Sequence, residues 1–136
     1  MRILIVEDEI LIALMLTDAL EAGGHEVTGM AATEAEALAM CAATLPELAL
    51  LDINLRDGGS DVVLARAMFD RWRLPMLFAS AQVVEARQAR DVALGCIGKP
   101  YEPETVLRSI AAAREVMRGR TPATLPPGFE LFRQAA

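Results

Sequence analysis

Residues 3–9 read Ile-Leu-Ile-Val-Glu-Asp-Glu, a short apolar run that ends abruptly in three acidic residues. Most of the apolar residues are β-branched, which favours an extended strand, and the run has no polar alternation. Such a strand is typical of a parallel sheet that is covered by helices on both faces. The acids then follow the carboxyl end of the strand, where open parallel sheets bind their ligands.

The same pattern recurs along the chain. Three further apolar runs cover residues 48–51, 76–79 and 96–98, and residues 25–31 form a weaker strand pattern. These four strands and the first alternate with five segments of helical periodicity. The fourth helical segment is predicted over Val84–Leu94 and closes at Gly95. Alternating strands and helices predict an α/β fold, a doubly wound parallel sheet of five strands with helices on both faces.

Composition limits the possible functions. The chain has 136 residues, of which 54% are hydrophobic, enough for one well-filled domain. Its formal charge is −6 and its basic residues are dispersed, which argues against binding of nucleic acid. The longest apolar runs fall far short of the ~20 residues of a membrane span, and we find no secretory signal. We therefore expect a cytoplasmic protein that does not bind membranes.

The composition changes after the last helical segment. We assign residues 1–118 to the domain and residues 119–136 to a C-terminal tail, which holds three of the seven prolines and two of the four phenylalanines. Prolines stiffen an extended chain, and apolar residues supply anchors, so we expect the tail to be a docking element. The tail is too short for an output domain, so output is expected to go through a partner protein.

Polar residues follow four of the predicted strands. Glu7 and Asp8 follow the first strand, and Asp52, Ser80 and Lys99 end the third, fourth and fifth strands. Because the carboxyl ends of parallel strands share one edge, these side chains should converge. Neighbouring carboxylates need a neutralising cation, and oxygen donors without His or Cys favour Mg²⁺. A nearby ammonium and hydroxyl then suit phosphoryl oxygens, and Asp52 suits a nucleophile that attacks phosphorus.

The chain resembles the receiver domain of bacterial two-component response regulators, and the likeness extends over about residues 2 to 118. It rests on four segments in order, Ile-Val-Glu-Asp-Glu (5–9), Leu-Leu-Asp-Ile-Asn-Leu (50–55), Phe-Ala-Ser (78–80) and Lys-Pro (99–100). The ordered combination is far more specific than any one segment. The resemblance implies a flavodoxin-like (βα)5 fold with strand order 2-1-3-4-5.

The resemblance also implies the metal ligands. Asp52 would accept a phosphoryl group from a phosphohistidine in a Mg²⁺-dependent reaction. Asp8 would bind the ion directly, Glu7 would bind it through water, and Asp52 and the main-chain carbonyl of Asn54 would be further ligands. The protein would then catalyse only its own phosphorylation and dephosphorylation.

Further implications concern the phosphoryl group and the switch. Ser80 and Lys99 would bind the phosphoryl oxygens, and the peptide bond between Lys99 and Pro100 is expected to be cis. Most receivers carry an aromatic residue three positions before this lysine, whereas this chain has Cys96 there. The usual aromatic switch is therefore absent.

The implied partners are a histidine kinase or a histidine phosphotransfer protein, together with a downstream target protein. The segment 10–16 is apolar at seven consecutive positions, more than one sheet-facing stripe of a helix can bury. We expect part of this surface to be exposed and to contact the kinase. The resemblance is compatible with a monomer or a weak dimer.

Three alternatives use some of the same residues. A receiver can act as a binding module that is not phosphorylated. A Mg²⁺-dependent phosphatase with an aspartyl nucleophile needs an acid two residues after the nucleophile, where this chain has Asn54. A flavodoxin-like cofactor carrier places phosphate-binding amides after the first strand, where this chain has acids that repel phosphate.

Overall fold

A computed structural model of the chain describes residues 1–54 and 60–132. Its strands are β1 (Arg2–Val6), β2 (Glu26–Ala31), β3 (Leu48–Asp52), β4 (Met76–Ser80), β5 (Gly95–Gly98) and β6 (Phe129–Leu131). They form one sheet in the order β2-β1-β3-β4-β5-β6. Neighbours among the first five strands are parallel, which confirms the predicted strand order 2-1-3-4-5.

Helices cover both faces of the sheet, as predicted. They are α1 (Ile10–Ala22), α2 (Glu34–Ala43), α3 (Ser60–Trp72), α4 (Val83–Ala86) and α5 (Pro103–Met117), and a 3₁₀ turn at Arg87–Ala89 follows α4. The helices α1 and α5 pack against one face, and α2, α3 and α4 pack against the other. In the described part of the chain, no helix has the length and apolar character to span a bilayer.

The first strand shows why its sequence has no polar alternation. Ile3 and Ile5 pack into the core beneath α1 and α5, whereas Leu4 packs into the core on the opposite face. All three side chains are fully buried. A strand that is buried on both faces needs apolar residues at successive positions, and this was the pattern that predicted it.

The predicted helix over Val84–Leu94 is wrong in its extent, because α4 has four residues and is followed only by a 3₁₀ turn. The Leu94 N–H donates to the Met76 carbonyl at 2.8 Å and so joins the sheet. The guanidinium of Arg66 on α3 donates to both oxygens of Asp91, at 2.7 and 3.2 Å. These tertiary contacts replace the helical hydrogen bonds that the local sequence favours.

A sixth strand, which the sequence pattern did not predict, comes from the tail. β6 runs antiparallel to β5, and Phe129 lies opposite Ile97 while Leu131 lies opposite Gly95. The tail therefore contacts the sheet, as expected of a docking element. Residues 133–136 of the predicted tail lie outside the described residues.

Two leucines of α1 test the orientation of this helix. Leu20 is fully buried, whereas Leu11 is 79% exposed. We predict that Leu20→Ala lowers the free energy of unfolding by about 2–5 kcal/mol because it leaves a cavity in the core. The matched variant Leu11→Ala should change it by less than about 0.5 kcal/mol. Urea unfolding followed by circular dichroism measures both values, and equal losses would contradict the orientation.

Candidate functional site

Four strands end at the same edge of the sheet, and polar residues follow them there. In the sheet register, Asp52 of β3 is paired with Ala79 of β4, and Ser80 is paired with Gly98 of β5. The N–H of Lys99 donates to the Ser80 carbonyl at 2.9 Å, which places the lysine directly beside the end of β4. The parallel register thus brings these chain segments together.

Three carboxylates form a cluster at this edge. One oxygen each of Glu7, Asp8 and Asp52 lies within 4.8 Å of the others. Glu7 is buried, Asp52 is half-buried and Asp8 is exposed, so the cluster extends from the end of the core to solvent. Three of the four residues that we predicted as metal ligands are therefore neighbours.

Glu7 is the most constrained member of the cluster. Its Oε2 accepts a hydrogen bond from the Glu9 N–H at 3.2 Å, whereas its buried Oε1 has no hydrogen-bond partner among the described residues. Burial raises the pKa of Glu7 to about 7, and the carboxylate of Asp52 contributes to the rise. A buried oxygen without a partner calls for a proton, a water or a cation. The oxygen donors of this cluster suit Mg²⁺.

A lysine lies against the central carboxylate. The Nζ of Lys99 forms an ion pair with Oδ1 of Asp52, and both side chains are mostly buried. The peptide bond between Lys99 and Pro100 is cis, as the resemblance implied. The ammonium thus reaches back over the end of β3 and supplies positive charge where the carboxylates crowd together.

Ser80 occupies the expected backbone position, but its hydroxyl points elsewhere. The residue is fully buried, and its Oγ accepts a hydrogen bond from the Gln82 N–H at 2.9 Å. It does not line the cavity above Asp52. The structure therefore brings the backbone of Ser80 to the site, while its hydroxyl accepts a hydrogen bond within the turn between β4 and α4.

Two cavities meet at Asp52 and Asn54. The larger has a volume of about 470 Å³ and is lined by Glu9, Asp52, Ile53, Asn54, Ala81, Gln82 and Lys99. The smaller has a volume of about 90 Å³, and its polar lining includes Glu7, Asp8, Asp52, Asn54 and Asp61. Asp52 therefore lines both the acidic cavity and the cavity that contains Lys99.

Sequence reasoning missed two residues of this region. Asp61 accepts a hydrogen bond from the Asn54 N–H at 2.8 Å and so anchors the backbone whose carbonyl we predicted as a ligand. Burial raises the pKa of Asp61, and the carboxylate of Asp52 adds to this effect. Burial likewise raises the pKa of Tyr101 to about 12, with contributions from Glu7 and Asp52. An acid in the first turn of a helix was a signal for Asp61. Tyr101 directly follows Lys99 and Pro100, but its place after the lysine does not suit the role of the missing aromatic switch.

Comparison with solved structures identifies the family. The signal receiver domain of a modulated diguanylate cyclase from Desulfovibrio desulfuricans G20 is 37% identical, with a TM-score of 0.69. That match covers 82% of this chain and 91% of the other. The chain belongs to the receiver-domain family of response regulators. None of the protein-family models compared with this receiver matches it.

This receiver is also similar to longer regulators. It is 34% identical over 116 residues to the phyllosphere-induced regulator PhyR of Methylorubrum extorquens, a match that covers 82% of the receiver and 43% of PhyR. PhyR from Bartonella quintana, an anti-anti-sigma factor, is 29% identical with a TM-score of 0.71, and the match covers 86% of the receiver and 48% of that chain. The receiver thus spans about half the length of these signalling proteins.

The pKa of Glu7 makes stability depend on pH. It is about 7 in the folded protein against 4.5 for the free side chain, so between these values the folded state binds more protons than the unfolded state. We predict that, with chelator present, this group lowers the free energy of unfolding by up to about 3 kcal/mol as pH rises from about 4.5 to 7. Urea unfolding across this pH range measures how the free energy of unfolding changes with pH. Glu7→Gln should remove the part of this change that Glu7 contributes. The same slope in both proteins would contradict the prediction.

Proposed function

We propose that this receiver accepts a phosphoryl group from a phosphohistidine on Asp52 and signals in the cytoplasm by contact with a partner protein. The cluster of Glu7, Asp8 and Asp52, with Lys99 paired to Asp52, carries the proposal. A carboxylate that is flanked by acids on one side and an ammonium on the other suits transfer of a phosphoryl group.

In the proposed step, a carboxylate oxygen of Asp52 forms a bond to phosphorus while the bond between phosphorus and the imidazole nitrogen breaks. The departing imidazole nitrogen takes up a proton from solvent. The lysine-lined cavity above Asp52 admits the phosphoryl group. Lys99, which pairs with Asp52 before transfer, then pairs with a phosphoryl oxygen.

The acidic cavity is the proposed Mg²⁺ site. Glu7, Asp8, Asp52 and the main-chain carbonyl of Asn54 would hold the ion, with Glu7 acting through water. When bound, Mg²⁺ neutralises negative charge on the carboxylates and on the phosphoryl oxygens. The unpartnered Oε1 of Glu7 supports this assignment, as does the hydrogen bond by which Asp61 fixes the Asn54 backbone.

Ser80 is the proposed second contact for the phosphoryl group. Its Oγ accepts from the Gln82 N–H, and its own hydrogen remains able to donate. Once Asp52 carries a phosphoryl group, rotation of the Ser80 side chain gives this hydrogen an anionic acceptor. The phosphorylated state would thus change the turn that follows β4.

Substitution of the acceptor tests the proposal directly. We predict that a small acyl-phosphate donor adds one phosphoryl group to the parent protein and none to Asp52→Asn, because an amide is not a nucleophile for this reaction. The control is Asp70→Asn, which changes an exposed aspartate of α3 in the same way and should be labelled like the parent. Intact-mass spectrometry with and without chelator measures the label. Labelling of Asp52→Asn would contradict the proposal, and so would labelling of the parent that is the same with and without chelator.

The surface of α1 is the proposed docking site for the phosphodonor, a histidine kinase or a histidine phosphotransfer protein. Ile10, Leu11 and Leu14 are 61%, 79% and 43% exposed, as the excess of apolar residues in this segment predicted. Ile12 and Met15 line a cavity of about 400 Å³ that also contacts Lys99. An apolar helix surface beside the site suits the helix of a phosphodonor.

Charge on this surface should impair the docking. We predict that Leu11→Glu or Leu14→Glu slows phosphotransfer from a kinase that phosphorylates the parent by about ten-fold or more. Labelling by the small donor should be unchanged, because α1 does not take part in the chemistry. Val63→Glu, on α3, is the matched control, since Val63 is a 65% exposed apolar residue. An equal loss with both donors would indicate misfolding and contradict the docking site.

One observation favours a second candidate, a receiver that binds its partner without phosphorylation. The position of the usual aromatic switch holds Cys96, which is fully buried. No aromatic side chain at that position can change its exposure on phosphorylation. The labelling experiment separates the candidates, because this alternative expects no label on the parent.

A further inference from the structure

β6 covers the outer edge of β5, immediately before the residue that pairs with Asp52. We propose that this edge is a binding site for one extended segment of a partner protein, and that β6 occupies it as an intramolecular competitor. The segment that fits the site is an aromatic residue followed by an acidic one. The inference rests on the contacts of β6 and does not depend on phosphorylation of Asp52.

The edge of β5 is well suited to accept a strand. Its sequence, Gly-Cys-Ile-Gly, contains no charged residue and no proline, which are the usual protections of an exposed sheet edge. β6 supplies the missing backbone partners. The Gly98 N–H donates to the Gly128 carbonyl at 2.8 Å, and the Phe132 N–H donates to the Leu94 carbonyl at 2.7 Å. An extended segment of another protein offers the same backbone groups.

A glycine makes room for an aromatic ring on this edge. A Cβ atom on Gly95 would lie 2.5 Å from the carbonyl oxygen of Glu130 and 2.6 Å from the ring of Phe129. No side chain at this position could coexist with the ring where it now lies. Phe129 is only 8% exposed as a result. The edge of β5 therefore has room for an aromatic side chain. This space makes the edge selective for an aromatic residue in addition to pairing with an extended backbone.

An arginine beside the edge recognises the next residue of the strand. The Nε and Nη2 of Arg87 donate to the two carboxylate oxygens of Glu130, each at 2.5 Å. Successive side chains of a strand face opposite sides, so Glu130 and Phe129 contact different faces of the sheet. A two-point contact between guanidinium and carboxylate is directional. Both side chains are partly exposed, so the contact contributes more to selectivity than to affinity. The site therefore distinguishes an acid after the aromatic residue from other side chains.

β6 is short and most of the tail around it is exposed, so a competing strand can replace it. It has three residues. Between residues 119 and 132 only Pro126 and Phe129 are buried, and Leu125 is 42% exposed. The tether keeps β6 at a high effective concentration near the edge. A partner segment that makes longer contacts overcomes this advantage, and its binding frees the tail.

A peptide that competes with β6 tests the inference. The probe is a fluorescent peptide with the sequence of residues 126–132, titrated into the full chain and followed by anisotropy. Phe129→Ala and Glu130→Arg each weaken β6, so both variants should bind the peptide about ten-fold more tightly than the parent or better. Leu125→Ala, which changes an exposed residue of the same tail, should bind it like the parent.

A charge exchange tests recognition by Arg87 and controls for misfolding. The Arg87→Glu chain should prefer a peptide with arginine in place of its glutamate by about ten-fold or more. The double variant Arg87→Glu with Glu130→Arg restores opposite charges at the two positions, so it should bind the original peptide as weakly as the parent does. Labelling by the small acyl phosphate should persist in all variants, so its loss in the parent would count against the proposed function and not against this inference.

Three results would overturn the inference. The first is equal affinity of the peptide for the parent, Phe129→Ala and Glu130→Arg. The second is peptide affinity that does not depend on the charge at position 87. The third is dimerisation of Phe129→Ala and Glu130→Arg, measured by light scattering, without binding of the peptide. The third result would assign the edge to exchange of β6 between two copies of the chain.

Discussion

Repulsion among three carboxylates at one edge of the sheet is the constraint on which the site depends. The parallel strands deliver Glu7, Asp8 and Asp52 to the same place, and the core below leaves Glu7 almost without water. Lys99 offsets part of this charge through its ion pair with Asp52, while burial raises the pKa of Glu7 and the Asp52 carboxylate adds to the rise. Binding of a cation would complete the compensation and would also offset the negative charge that a phosphoryl group adds to Asp52.

β5 links this site to the tail. Its carboxyl end leads into Lys99, while its outer edge pairs with β6. The hydrogen bond from Gly98 to Gly128 lies one residue from the lysine. A change in the position of Lys99 and a change of the strand on this edge therefore act on the same short segment. Coupling between the site around Lys99 and the outer edge of β5 would be reciprocal, so a partner bound at the edge would also affect the site.

The sequence predicted what depends on local pattern and on the rules of parallel sheets. Apolar runs predicted four of the five parallel strands, a weaker pattern predicted β2, and the residues after the strands predicted the cluster and its lysine. The pattern did not reveal β6, because a strand of three residues depends on Gly95 and Arg87, which lie far away in the chain. It extended α4 too far, since contacts of Leu94 and Asp91 override helical propensity. It also did not predict the direction of the Ser80 hydroxyl, because the Gln82 amide sets it.

The most direct test of phosphorylation at Asp52 is to identify chemically which residue carries the phosphoryl group. Borohydride reduces an aspartyl phosphate to homoserine, and mass spectrometry of peptides from the reduced protein identifies the modified residue. The protein would be phosphorylated by a histidine kinase or phosphotransfer protein in the presence of Mg²⁺ and then reduced. Phosphorylation at the proposed acceptor predicts conversion of Asp52 and of no other aspartate. Conversion of Asp8 or Asp61, or a stable phosphate on Ser80, would contradict it.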